Sequence, residues 1–410
     1  MEMIDLKSHD SPYNQKARQY QNRRLQSKIE IYDLTLEADG EEMAGLRFKH
    51  TERIEIAKIL DEAGIHRMAI IGNSPKPTRG DIKSAEKIVE LGLRARTSGF
   101  VKTKEEITIC NQIGIKDVSI LVGVNESTFT KDSSKRNVLD NSKNLLNHAK
   151  ELGLHVTFMG MDSTRASTRF LKQVIKELDP LFDEYAIGDS LGRITPYGIE
   201  YLANLFTSWT SKPLQLHPHN TTSMAVANCL SAALSGIPIL HSTINGLGEF
   251  SGLAATEECV AAIEVHAGVP LGINFNKLQE ASMLVSSIAG INIPPGKPIT
   301  GSAAFAIPET EEIQQFMYEL YLEGCFNDGM PLTPELVGSK AIFSIGKKCN
   351  PYTILFNLNK KGYQIEFEIA VKLAADIRRH LSKKKGYYLM ETHELIEFYK
   401  NSVHFRDNSQ

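Results

Sequence analysis

Four residues able to bind a cation stand at the ends of three short apolar runs. Asp33 closes IEIYDL, and His217 and His219 close PLQLHPH as a His-x-His pair. Asn245 follows PILHSTI in the segment STINGLGEFSG, which also carries Glu249. In an extended strand side chains i and i+2 point the same way, so both imidazoles can face one site. Two imidazoles with a carboxylate and an amide oxygen form a donor set for a divalent cation with open positions: Mn, Zn, Co, Fe or Mg. Each residue also has a plainer reading. An Asp after a strand often caps a helix, His-Pro-His can be a turn, and Gly-Leu-Gly a tight loop. Metal binding is favoured if the three strands are neighbours.

The chain pattern makes them neighbours. Eight short apolar runs occur at 29–34, 67–71, 93–99, 117–123, 155–160, 184–189, 213–219 and 238–244. Helix-like segments separate them, such as HTERIEIAKILDEAG, whose Ile54, Ile56, Ile59 and Leu60 follow a 3.6 period and whose Gly64 is a natural stop. Eight strand–helix units over residues 28–270 predict an α/β fold of the (β/α)8 TIM-barrel type. In such barrels the functional site lies at the C-terminal ends of the strands, and strands 1, 7 and 8 adjoin. An open doubly wound sheet would need a Gly-rich phosphate loop after the first strand, where DLTLEADG stands.

Residues 1–27 read as a polar, mildly basic arm. Residues 271–410 read as a mostly helical C-terminal subdomain, entered through the Pro/Gly-rich connector INIPPGKPITGSAAFAIPE. This tail is too short for a second barrel, and its apolar content predicts that it docks on something rather than forming a core alone.

Composition excludes other classes. The 410 residues carry 46 Lys and Arg against 49 Asp and Glu, so no global field points to nucleic acid. No apolar run is long enough for a membrane span, and the N-terminus lacks a secretory pattern. Five scattered Cys, none in a CxxC, exclude a disulfide framework or a Cys–zinc module and fit a reducing cytoplasm.

Longer motifs carry a family resemblance. YDLTLEADGEE, LRARTSG, DSTRAS, IGDSLGRITP, LHPHNTT, TINGLGEFSGLAATEE and, in the tail, PLTPELVG followed by IGKK occur in an order similar to the isopropylmalate synthase, homocitrate synthase and hydroxymethylglutaryl-CoA lyase superfamily. The resemblance runs from about residue 28 to beyond 390. It implies that Asp33, His217, His219 and Asn245 ligate a divalent metal, and that the metal chelates a 2-oxo acid through its carboxylate and keto oxygens. It also implies an acyl-CoA cosubstrate and a homodimer in which the tail reaches the partner's barrel.

Departures from the family pattern are numerous. The first strand normally reads Asp-Thr-Thr-Leu-Arg-Asp-Gly-Glu-Gln; here Glu37-Ala38-Asp39-Gly40 follows Leu36, and the charge-stabilising Arg is gone. Ile70-Ile71-Gly72 lacks the usual Glu, and Met161-Asp162 replaces a Glu-Asp pair. Thr221 replaces the acid after His-x-His-Asn. Gly248-Glu249-Phe250 replaces Gly-Glu-Arg, and Gly252-Leu253 replaces Gly-Asn. Phe305-Ala306-Ile307-Pro308-Glu309 lacks the family's His. Acid/base duty then falls to Glu37, Asp39, Glu41 or Glu249, or to a water on the metal, and substrate contact to Arg96, Arg165, Asp189, Ser190 and Thr243. For Arg96, a structural ion pair inside the barrel is an equal alternative.

The leading reading is a metal-dependent Claisen-type acyltransferase joining an acyl-CoA to a 2-oxo acid, with altered substrate. The alternatives are a carbon–carbon lyase, aldolase or decarboxylase using the same chelation, and a non-catalytic homologue that keeps the fold.

Overall fold

The computed structural model describes residues 28–72, 77–129 and 134–402, together with 11–14 and 16. Most of the polar arm read over 1–27 therefore lies outside the described residues. All eight apolar runs form strands: β1 (Glu30–Asp33), β2 (Arg67–Ile71), β3 (Arg96–Val101), β4 (Asp117–Gly123), β5 (His155–Met161), β6 (Glu184–Asp189), β7 (Leu214–Pro218) and β8 (Ile239–Ser242). They pair in parallel in sequence order, and β8 closes on β1 to complete a barrel. The chain is a (β/α)8 TIM barrel with a helical C-terminal part.

The intervening helices are α1 (Ala38–Glu41), α2 (His50–Ala63), α3 (Arg79–Glu90), α4 (Lys104–Gln112), α5 (Lys135–Glu151), α6 (Thr168–Leu178), α7 (Pro196–Trp209), α8 (Ala225–Leu234), α9 (Thr256–Ala262) and α10 (Phe275–Ala289). Local chemistry starts and stops them. Thr78 and Thr103 accept hydrogen bonds from the third residues of α3 and α4, and Gly64 ends α2 in the left-handed conformation at φ 87°.

The ladders are uneven. β4 and β5 share seven registered pairs from Asp117↔His155 to Gly123↔Met161, whereas β1–β2 and β7–β8 have two each. Alternation sends Glu30 and Tyr32 of β1, and Leu34 just past its end, inward, with Arg67, Ser98, Phe100, Thr157, Met159, Glu184, Ala186 and Gln215 of the other strands. The N-terminal floor is an ion-pair cluster. Arg67 holds Glu184 with two bonds of 2.7 and 3.0 Å and Glu30 with one of 2.5 Å, while Asp117 takes Arg96 and His155. Above it lies an apolar ring of Tyr32, Leu34, Ala69, Phe100, Met159, Ala186, Ile239 and Leu253.

The contacts divide the chain into two units, residues 1–293 and 294–410. Helix α10, read above as part of the C-terminal subdomain, packs on α2 and falls in the first unit. The second unit contains β9 (Ala306–Ile307), α11 (Glu311–Glu323), β10 (Ile342–Phe343), α12 (Pro351–Asn359), α13 (Phe367–Leu381) and α14 (Thr392–Lys400). The expectation that this tail cannot build a core is overturned. Phe343 and Phe356 stack at 4.0 Å, Tyr321 and Phe326 pack on Phe356, and Ile354, Leu358, Leu373, Ile377 and Leu395 are buried. Aromatic side chains, each burying a large area, make up for the modest number of apolar residues.

Candidate active site

Gln215 and His217 of β7 and His219 just past its end alternate with Leu216 and Pro218, and the sequence-predicted imidazole pair forms. His217 Nε2 lies 3.1 Å from His219 Nε2, and both residues are buried. Gly192 lets the next loop press on this strand: a Cβ there would lie 2.7 Å from the His219 carbonyl, and its φ is 57°. A third imidazole joins from β8. His241 Nδ1 is 3.2 Å from His217 Nδ1, and His241 Nε2 is 2.7 Å from Gln215 Oε1. Burial pushes His217 down to about 3 and His241 well below its ordinary value. Both rings are therefore neutral, the state in which imidazole ligates a metal. His241 was not among the residues singled out from the sequence. Its signal was there, because it stands two residues before Thr243 on a strand adjoining the His-x-His strand.

Beside the pair the surroundings are apolar. Leu253 is fully buried and its backbone bridges to His219. Gly252, at φ 79°, is needed because a Cβ would fall 1.8 Å from the Gly246 carbonyl.

The other two expected ligands do not join the imidazoles. Asp33 points outward: Oδ1 accepts from the Thr35 N–H at 2.9 Å and Oδ2 from the Thr256 hydroxyl at 2.8 Å, at the start of α9. Tyr32 and Leu34 occupy the inward face of β1, so alternation excludes Asp33 from it. Asn245, at φ 61°, donates from Nδ2 to the Ser282 carbonyl at 2.9 Å and accepts from the Ser282 hydroxyl at 2.5 Å. It ties the loop after β8 to α10.

Arg96 is also reassigned. It opens β3 at the floor, the end opposite the site, where it pairs with Asp117, so the ion-pair alternative holds. Thr243 is spent on its own loop, donating to the Leu247 carbonyl at 2.6 Å. Asp189 accepts from the Thr164 hydroxyl at 2.7 Å and the Arg193 N–H at 3.2 Å, and burial raises its carboxyl. Arg165 does stand at the C-terminal rim, 3.3 Å from Asp162. Asp162 also accepts from Asn125 at 2.6 Å, and its N–H donates to Ser190 at 2.9 Å.

Glu37 is buried in the turn after β1, and Glu249 is half-buried in the loop after β8. Asp39 belongs to α1, and its side chain lies outside what is described. Arg53, not singled out from the sequence, anchors this turn. Its guanidinium is 2 % exposed and donates to the Leu36 and Ile70 carbonyls at 2.5 and 2.8 Å and to Glu41.

Among the described residues no group of three or more His, Cys, Asp or Glu is placed to hold a metal ion. The imidazole pair nonetheless fits one. With metal–nitrogen bonds of about 2.05 Å, a 3.1 Å separation gives an angle of roughly 100°, close to both tetrahedral and octahedral values.

Comparison with known proteins agrees with this barrel. The HMGL-like family model matches residues 28–285, most of the chain. The chain belongs to the HMGL-like family. It is similar to a probable 2-isopropylmalate synthase of Archaeoglobus fulgidus, 30% identical over 348 residues that cover 84% of this chain and 68% of that protein. A homocitrate synthase of Methanothermobacter thermautotrophicus is 27% identical, covering 92% of this chain and 94% of the relative. Among solved structures, an HMG-CoA lyase of Bacillus subtilis superposes with a TM-score of 0.60 at 19% identity, over 71% of this chain and 99% of that one. That likeness concerns the fold. Within the HMGL-like barrel, the His-x-His pair is the part of the predicted ligand set that the structure brings together.

Proposed function

We propose that this HMGL-like protein joins an acyl-CoA to a 2-oxo acid at a divalent cation held by His217 and His219. The observation that carries the reading is the inward-facing, buried imidazole pair with Nε2 atoms 3.1 Å apart. A cation bound there would polarise the keto oxygen and offset the negative charge that develops on it. The acyl α-carbon loses a proton, bonds to the keto carbon, and water then cleaves the thioester to release the CoA thiol.

The chain's own residues supply the rest. Leu253, fully buried and bridged through its backbone to His219, keeps water away from the imidazoles on that side, which strengthens every charge interaction made there. Arg165 at the rim is the cation offered to a substrate carboxylate. Glu37 and Glu249, from the turns after β1 and β8, carry the proton transfers. The naming of relatives as 2-isopropylmalate and homocitrate synthases supports the condensing direction.

The test is thiol release from acetyl-CoA against a panel of 2-oxo acids with added Mn or Zn, using the wild type and His217→Ala. Release by the wild type and loss of at least about a hundredfold in the folded variant is the expected result. Formation of a 2-oxo acid from a 2-hydroxy diacid, with no thiol released by any pair, would assign cleavage instead.

A further inference from the structure

Beneath the imidazole pair, the barrel axis holds a line of buried polar groups that the proposed chemistry leaves unused. His241, Gln215, Thr157 and Glu184 are each at most 5 % exposed and come from four different strands. The line joins the site to the floor through consecutive hydrogen bonds, and its donors and acceptors can be assigned from the bottom up.

Glu184 is fixed first, because Arg67 grips both its oxygens at 2.7 and 3.0 Å. A carboxylate only accepts. Gln215 therefore turns its amide nitrogen downward, donating to Glu184 at 2.5 Å and to Thr157 at 3.0 Å. The flipped amide would set oxygen against oxygen. Gln215 Oε1 then faces upward to His241 Nε2 at 2.7 Å, and an amide oxygen requires a proton on that nitrogen. A neutral imidazole has one N–H, so His241 Nδ1 is a lone pair. It lies 3.2 Å from His217 Nδ1, and only one proton fits between them, so that proton belongs to His217. His217 Nε2 is left bare and directed at His219.

We propose that Gln215 and His241 are positioning residues that set the tautomer of His217, with Glu184 as the fixed end of the relay. The consequence for binding rests on the reading of His217 as a metal ligand; the tautomer assignment does not. In this arrangement His217 Nε2 carries no proton: it accepts from His219, and a cation that displaces this one hydrogen bond finds the lone pair without a deprotonation of His217. Metal-ligating histidines commonly donate their second nitrogen to a carboxylate or carbonyl. Here the acceptor is another imidazole, and a Gln and a Glu deep in the barrel dictate its own tautomer.

The experiment uses metal-free full-length protein with 15N-labelled histidine rings. Ring nitrogen shifts correlated to the carbon-bound ring protons report which nitrogen of each His is protonated, and His217→Gln identifies the His217 signals. The expected wild-type pattern is a protonated Nδ1 and a bare Nε2 on His217, with the reverse on His241. His241→Leu removes the acceptor: His217 is expected to populate the other tautomer, and Mn or Zn affinity measured by calorimetry to fall about 10–100-fold. His241→Asn places an amide oxygen near the lost Nδ1 and should restore both the tautomer and the affinity. A bare Nδ1 on wild-type His217 would overturn the proposal, and that measurement needs no variant to fold. An unchanged His217 tautomer in folded His241→Leu would overturn it too. The expected wild-type tautomers together with no metal binding would uphold the relay and refute the metal reading.

Discussion

Asp33→Asn separates a ligand from a structural carboxylate. Asp33 is 1 % exposed and accepts from Thr35 and Thr256 on the outer face of β1. Burial raises its carboxyl from 3.8 to about 6, against the lowering effect of both threonines, and the nearby Glu257 adds to the rise. That difference corresponds to about 3 kcal/mol carried by the folded state once the group is ionised. The folded chain holds this proton more tightly than the unfolded chain. Its favourable contribution is therefore fully present below 3.8 and is lost as pH rises through about 6. Asparagine does not ionise, and its single oxygen replaces only one of the two accepting atoms, a loss of about 1 kcal/mol. Urea unfolding should then show Asp33→Asn slightly less stable than the wild type near pH 4 and about 2 kcal/mol more stable at pH 8. Mn or Zn affinity by calorimetry should stay within about twofold, because the carboxylate does not face the imidazoles. A pH-independent stability difference, or a tenfold loss of metal affinity in the folded variant, would refute this account.

The floor and the imidazoles give further expectations. Arg96→Gln cuts an ion pair whose Arg is 36 % exposed, so stability should fall by no more than about 1 kcal/mol. Its kcat and KM should match the wild type, and a tenfold rise in KM would return Arg96 to the substrate site. For His217 the sign is opposite to that for Asp33. Burial holds the ring near 3, so its contribution is present above the ordinary 6.5 and is lost as pH falls toward 3. Acid unfolding followed by the fluorescence of the single Trp, Trp209, should therefore be less steep in His217→Asn; an acid limb identical to the wild type would contradict the burial argument.

The barrel was legible because each βα unit writes its own period: a short apolar run, then a helical pattern closed by Gly. The His-x-His pair was legible for the same reason, since i and i+2 on one strand share a face whatever surrounds them. Asp33 shows where this reading stops short. Its place at a strand end was right, but which face it took depended on Tyr32 filling the barrel, and an aromatic fits either face of a parallel strand buried on both sides. Asn245 turned to Ser282, 37 residues away, through a contact that no local pattern encodes. Arg96 was misplaced by register: the run read as 93–99 becomes a strand only at Arg96, which moves it from the mouth to the floor. His241 went unnoticed because a lone His in a strand is ordinary until its neighbour's imidazoles are known to face it.

The uneven ladders give the barrel a stiff arc and a compliant one. β4 and β5 are zipped along their whole length, whereas β1–β2 and β7–β8 are held by two registered pairs each. Local opening is cheapest where fewest backbone bonds must break, so amide protons along the β1–β2 and β7–β8 seams are expected to exchange ahead of those between β4 and β5. The imidazoles stand on this softer wall. Arg67, reaching from β2 to Glu30 on β1 and Glu184 on β6, ties its lower edge shut. Hydrogen exchange on this wall is therefore expected to run from the rim downward, with the strand ends at the floor held longest by the Arg67 ion pairs.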